Sequence, residues 1–309
     1  MSRSVETARP PSPARVFMGS PTGVVSLVCV GALVVLAALG PDAFGASATT
    51  VDVVGASQNR SSDHPLGTDG LGRDIFWRTL AATRTSLTLA AMSVLVAVVL
   101  GAAIGGLVAA SSRRTRRIGG AVVDTMMSIG SILLAIVVVA IVGIGAKGVV
   151  IAVGVAFAPS FARFTFALVT GVMSREYLAA GRTVGLGRRR IAQRYVGLNV
   201  ADSLAIAALS MLGDCLIALS SLSFLGLGVQ SPSFDWGQML TDAVKDFYLN
   251  PYASLGPALM ITFSGVSLAL LGDALARAVN PLLWEQGGAR RRRGARVGHG
   301  IVDEGVELP

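Results

Sequence analysis

Three observations predict an all-α integral membrane protein with six transmembrane helices. The 309 residues are 52% hydrophobic and only 14% charged, with a mean hydropathy of +0.66. That leaves too little polar surface for a soluble domain of this length. Apolar stretches of the roughly 20 residues needed to cross a bilayer as helix occur near 21–41, 86–110, 118–143, 148–172, 200–228 and 254–279. The net charge of +8 comes from arginines gathered in short runs between these stretches. That pattern marks membrane loops rather than a nucleic-acid surface.

Taken in order, residues 1–20 hold Pro and Arg and read as a disordered cytoplasmic tail. Residues 21–41 form the first transmembrane helix. Ala46-Ser47-Ala48 resembles a signal-peptidase site, but the apolar run is long for a signal sequence, so a retained span is preferred. Residues 42–85 are an extracellular segment. Residues 86–284 are a core of five further helices with a basic loop at 174–199, and 285–309 form a second disordered cytoplasmic tail. Arg3, Arg9 and Arg15 precede the first span, and Arg113, Arg114, Arg116 and Arg117 follow the second. The 174–199 loop follows the fourth, and Arg290 to Arg293 with Arg296 follow the sixth. Six spans put all of these groups on one side, which makes both termini cytoplasmic.

The loop SREYLAAGRTVGLGRRRIAQRYVGLN breaks at Gly185-Leu186-Gly187. Tyr177, Ala180, Gly181 and Val184 before the break, and Ile191, Tyr195 and Leu198 after it, recur at helical spacing. Two short helices joined by a glycine turn fit this pattern. Arginines on anionic lipid and small residues docking on another protein are both compatible with it. Glycines 67, 70 and 72 with Pro65 make a turn-rich element in which Asp69, Arg73 and Asp74 can pair locally.

Several chemistries find no support. Cys29 and Cys215 lie in apolar stretches, and His64 and His299 are far apart, so no metal site is expected. Neither Lys147 nor Lys245 sits in a phosphate-binding G-x-x-x-x-G-K-[ST] loop. No H-E-x-x-H or G-x-S-x-G occurs, and no internal repeat or paired intramembrane charges suggest an ion-coupled secondary transporter. Asp214, near the middle of the fifth span, is the deepest acid. It reads either as a polar contact or proton site in a translocation pathway, or as a structural group bonded to Ser210, Ser220 or a partner subunit, the latter preferred. Asp124, Asp273 and Arg163 fall nearer the cytoplasmic ends of their spans. In the second span, GAAIG from Gly101 is a small-xxx-small packing pattern whose partner, within or outside the chain, the sequence leaves open.

The order E-Y-x-x-A-A/G-R-x-x-G followed by a short helix ending in Asn199 resembles the EAA loop of ABC importer permeases. HPLGTDGLGRDIFWRTL from His64, SFLGLGVQSPSFDWGQML from Ser223 and LLGDALARAVNPLL from Leu270 are similar to segments of one group in that family. The group is the C-type permease subunits of dipeptide/oligopeptide (nickel-type related) importers, within the binding-protein-dependent transport inner-membrane component family. Together the motifs cover about residues 60–284 in the expected order. The resemblance implies the type I ABC importer permease fold with a cytoplasmic coupling helix that inserts into a groove on an ATPase. It assigns ATPase coupling to Glu176, Tyr177, Ala179, Ala180, Gly181, Gly185, Ile191 and Asn199. Here Ala179 stands in place of the family's acidic residue, Gly181 in place of its second alanine, Leu198 in place of the proline before the asparagine, and Gly130 where a proline is frequent.

The resemblance further implies a non-catalytic subunit of a bacterial plasma (inner) membrane transporter that binds no cofactor itself, with ATP and Mg used by partner chains. The implied partners are a sister permease, two cytoplasmic ATPase subunits or one fused ATPase, an extracellular or periplasmic solute-binding protein and membrane lipid, with no nucleic acid. Di- or oligopeptides are the expected solutes; nickel, glutathione and antimicrobial peptides are the alternatives within the same family.

Overall fold

The computed structural model describes residues 12–173 and 197–279, and these residues are helical apart from turns and short 3-10 segments. The helices are α1 (Pro13–Met18), α2 (Pro21–Thr49), α3 (Ile75–Ala110), α4 (Arg113–Met127), α5 (Ser131–Val142), α6 (Ala146–Met173), α7 (Gly197–Phe224), α8 (Trp236–Lys245) and α9 (Leu255–Val279). An isolated bridge between Thr68 and Asp74 is the one β-type pairing among the described residues.

Local chemistry sets the helix ends. Ser20 caps α2 by accepting from the Gly23 N–H, with Pro21 in the first turn, where its missing N–H costs nothing. Asp74 caps α3, accepting from the N–H groups of Phe76 and Trp77, and Asp235 caps α8. Between caps, the apolar content of α2, α3, α6, α7 and α9 makes each long and greasy enough to cross a membrane. Many of their large side chains, such as Leu95, Val99, Leu259 and Val266, remain exposed, as on a surface whose solvent is lipid.

Three expectations are corrected. The helices expected at 21–41 and 86–110 are longer, since α2 runs on to Thr49 and α3 begins at Ile75; α3 is 36 residues, about 54 Å at 1.5 Å per residue. Residues 13–18, expected within a disordered tail, form α1, whose Phe17 packs against Leu271, Ala274 and Ala278 of α9.

The third span, expected as one helix over 118–143, is two helices meeting at 88°. Its break has a local cause. Ser128 and Ile129 turn their N–H groups to Thr125 and Met126, tightening the last turn, and Gly130 then leaves the helix at ψ 128°. The 12 residues of α5 span about 18 Å, so α5 does not cross a bilayer alone. Among the described residues there are five membrane-length helices, or six with the bent pair counted as one.

The core is built on a seam between α3 and α6. Ser93, Ala97, Gly101, Gly105 and Ala109 recur every four residues on α3 and are all buried. Gly101 lies on the backbone of Ala158, and Gly105 on that of Ala162 and on Thr165. The absent side chains let the two helix backbones approach closely. The GAAIG face thus packs within the chain. A second core joins α3, α7, α8 and α9 around the fully buried Trp236 and Leu216. Trp236 donates from its indole Nε1 to the Thr79 carbonyl at 2.9 Å and from its backbone N–H to Ser86 Oγ at 3.1 Å. This ties α8 onto the first turns of α3.

Candidate functional site

One end of the bundle is capped by the loop from His64 and by the segment 229–254. Asp69 Oδ2 accepts from Arg73 Nε at 2.8 Å, and its Oδ1 accepts from the N–H groups of Leu71 and Arg73. Gly72 turns the chain at φ +74°, where a side chain would strike the Asp52 carbonyl. Asp74 does not join the Asp69–Arg73 pair. It caps α3 and takes the His64 Nδ1 contact at 2.8 Å.

Sequence reasoning missed Arg78, which is 5% exposed. Its guanidinium lies 4.2 Å from the centre of the Phe234 ring, donates to the Ala48 carbonyl at 3.3 Å and stands 3.6 Å from Asp69. One side chain therefore joins the end of α2, the His64 loop and the approach to α8. Asn250 repeats the device, donating from Nδ2 to the carbonyls of Leu66 and Gln58. The signal that could have pointed to Arg78 was a charge one helical turn inside an apolar helix.

Asp235, fully buried in the same cap, accepts from the Gln238 N–H at 2.8 Å through Oδ1, while Oδ2 has no aligned donor. Burial raises its pKa above the ordinary carboxylate value. The Gln238 N–H and the nearby Ser223 hydroxyl act in the opposite sense without cancelling the shift. A raised folded-state pKa means the folded chain keeps a proton that the unfolded chain has lost. Stability conferred by this group is therefore present below the ordinary carboxylate value and falls as pH rises through the window up to the raised one. A scan of the unfolding midpoint between about pH 4 and pH 8 should show the wild type losing more on the alkaline side than Asp235→Asn. Parallel curves would refute this.

Asp214 sits close to the middle of the Val200–Phe224 span, on an exposed face of α7. The internal partners expected for it do not materialise. Ser210 Oγ donates to the Ile206 carbonyl of its own helix, and Ser220 Oγ is buried without a partner. Asp214 instead borders an open cavity of about 230 Å³ lined by Ser131, Ile132, Phe157, Ile217 and Ala218. The α4–α5 bend contributes here, since it brings the first residues of α5 to the cavity wall beside α6 and α7.

At the opposite end, Ala109 of α3, Val169 and Val172 of α6 and Val200 of α7 form one buried cluster with Phe166, Leu168, Met173 and Leu204 around it. Asp124 of α4 and Arg163 of α6, read separately in the sequence, pair at 3.2 Å. The predicted coupling residues Glu176, Tyr177, Ala179, Ala180, Gly181, Gly185 and Ile191 lie outside the described residues. Asn199 falls in the first turn of α7. The structure thus shows the two helices that carry the loop, packed together where it leaves and returns. Among the described residues no group of three or more His, Cys, Asp or Glu is arranged to hold a metal.

A helical bundle of this length, greasy on its outside, with one carboxylate beside a largely apolar cavity at mid-span, defines a multi-pass membrane protein. Residues 97–285 match the family described as "Binding-protein-dependent transport system inner membrane component", and the chain belongs to that family. It is similar to the "Glutathione transport system permease protein GsiD" of Pectobacterium atrosepticum, with 37% identity over 227 residues, 74% of this chain and 75% of that protein. It is also similar to the "Nickel transport system permease protein NikC" of Escherichia coli strain K12, with 33% identity covering 75% of this chain and 84% of that one. The GsiD of Escherichia coli O1:K1 / APEC is 33% identical over 72% of this chain and 73% of its own length. The chain is therefore an inner-membrane permease component of an ABC importer, in the dipeptide, oligopeptide and nickel group.

Proposed function

We propose that this chain forms half of the translocation pathway of an ATP-driven importer of di- or oligopeptides. In this reading a sister permease supplies the other half, two ATPase subunits or one fused ATPase bind beneath, and an external solute-binding protein delivers the solute. The arginine-rich end, with both termini, is cytoplasmic; the end capped by the His64 loop is external. ATP and Mg are used by the ATPases, and this subunit carries no cofactor of its own.

The observation that carries the pathway assignment is Asp214. A carboxylate at mid-span on the outside of an isolated subunit is strongly disfavoured against lipid, and such groups face a bundle interior or a water-filled route. The α5–α6–α7 face around it is therefore the face turned toward the sister subunit and the pathway. Peptide solutes are favoured because glutathione, itself a small peptide, is named in the relative with 37% identity.

Coupling is assigned to the loop 174–199 through Ala179, Ala180, Gly181 and the glycine turn at Gly185. ATP-driven closure of the ATPases would displace this loop, and the packed ends of α3, α6 and α7 offer a rigid route for that displacement into the spans. Gly185→Leu in the reconstituted transporter should reduce binding-protein-stimulated ATP hydrolysis to the basal rate. The unfolding midpoint of the permease should not change. Full stimulation in that variant would sink the coupling role.

A further inference from the structure

The geometry points to Asp214 as a recognition point for an organic ammonium group on the transported solute, an inference that rests on the pathway reading above. The cavity offers one carboxylate, one hydroxyl from Ser131 and the aromatic ring of Phe157, with Ile132, Ile217 and Ala218 completing an apolar wall. A carboxylate that shares a cavity with an aromatic residue, in otherwise apolar surroundings, suits an alkylammonium: the charge meets Asp214, Phe157 can add a cation–π contribution, and the carbon skeleton meets the aliphatic wall.

A divalent metal fits poorly, since it takes four or more nitrogen, sulfur or oxygen ligands and one carboxylate with one hydroxyl falls short. An anionic group would be repelled. The first turn of α5, whose cap residue Gly130 makes no side-chain hydrogen bond, carries a partial positive charge of about half a unit, which offsets the carboxylate in part and leaves the site negative. Among the described residues no other charged side chain lines the cavity, and Asp214 has no polar partner. The volume, about 230 Å³, suits an end group or side chain rather than a whole peptide, as expected of one half of a shared route.

The test uses the assembled transporter in membrane vesicles, with Cys29 replaced by serine and Ile217→Cys placed in the cavity wall. Cys215 is fully buried and is retained, and the protein without Ile217→Cys supplies the background. Thiosulfonate reagents carrying either a trimethylammonium or a sulfonate group are reacted with and without ATP. Relative to the ratio the two reagents show with a small free thiol in solution, the cationic reagent should react about tenfold faster than the anionic one. Asp214→Asn should abolish that preference while leaving both reagents reactive, and Asp214→Glu should restore it. Ethylammonium should slow the cationic reagent, and the transporter that keeps Ile217 should show no nickel binding that depends on Asp214.

A preference unchanged by Asp214→Asn overturns the ammonium assignment and leaves the pathway reading standing. Nickel binding to the transporter with Ile217 intact that is lost in Asp214→Asn overturns it in favour of a metal. Failure of both reagents in every nucleotide state shows that the sister subunit seals this face, and overturns the pathway reading together with the inference.

Discussion

Replacing Gly105 with leucine is expected to prevent a stable permease from accumulating in the membrane. The position has no room: a Cβ there would fall onto the Ala162 carbonyl and within 2.9 Å of Thr165 Cβ, and neither belongs to a flexible side-chain end. To admit a side chain, α3 and α6 must separate along the seam that runs from Ser93 and Gly154 to Ala109 and Val169. Overpacking a well-filled interior costs about 1–3 kcal/mol, and contact with a backbone that cannot rotate away puts this case at or above the top of that range. Gly106, one residue on, has nothing within 4 Å of its would-be Cβ. Gly106→Ala should therefore be neutral or gain up to about 1 kcal/mol from helix propensity. The amount of each variant that accumulates in the membrane, and the unfolding midpoint of detergent-purified Gly106→Ala, check the pair. A Gly105→Leu protein as stable as wild type would show that α3 and α6 do not meet as described.

The second large effect is expected at Arg78. Arg78→Ala removes the cation over Phe234, the donor to the Ala48 carbonyl and one of the two cations near Asp69. Breaking a buried charged network costs about 3–5 kcal/mol. Because Arg73 still holds Asp69 at 2.8 Å, the lower end of that range applies. The loss should be local first. Protease sensitivity within the His64 loop and the segment before α8 should rise before the α3–α6 seam gives way. Arg78→Lys keeps the charge but not the planar stack on Phe234, so it should fall between wild type and alanine. Wild-type protease resistance in Arg78→Ala would remove Arg78 from its place as the hinge-pin of the cap around the His64 loop.

The two variants also separate what is local in this protein from what is not. Gly105 was visible in the sequence as part of a small-xxx-small pattern, because the pattern is a property of one helix. Whether the pattern met α6 or another subunit depends on a contact between residues far apart in the chain. The role of Arg78 was not visible: its partners Ala48, Asp69 and Phe234 come from three separate segments, and nothing in the spacing of those residues announces that they converge. The Asp69–Arg73 pair, four residues apart, was legible for the opposite reason, whereas Asp74, expected beside them, turned to His64 and to its own helix cap. Asp124 and Arg163 repeat the lesson inside the bundle, each readable as a charge near a helix end and only their pairing hidden.

Depth along the membrane was legible, and direction around the helix was not. Hydropathy sums over about 20 neighbouring residues. It therefore sufficed to find the apolar segments, the depth of Asp214 and the one-sided arginine runs. The family follows from motifs that are themselves short and contiguous. A break such as that at Ser128–Gly130 alters only three residues of backbone and leaves the hydropathy of α4 and α5 together still above the threshold for a span. The 88° bend is thus a tertiary fact, as is the turning of Asp214 away from Ser210 and Ser220 and into an open cavity. Composition determined that this chain lives in a membrane, because that depends on how much apolar surface each segment carries. Packing between distant helices decided which polar groups are spent on holding the bundle together, and that Asp214 is left exposed beside a cavity.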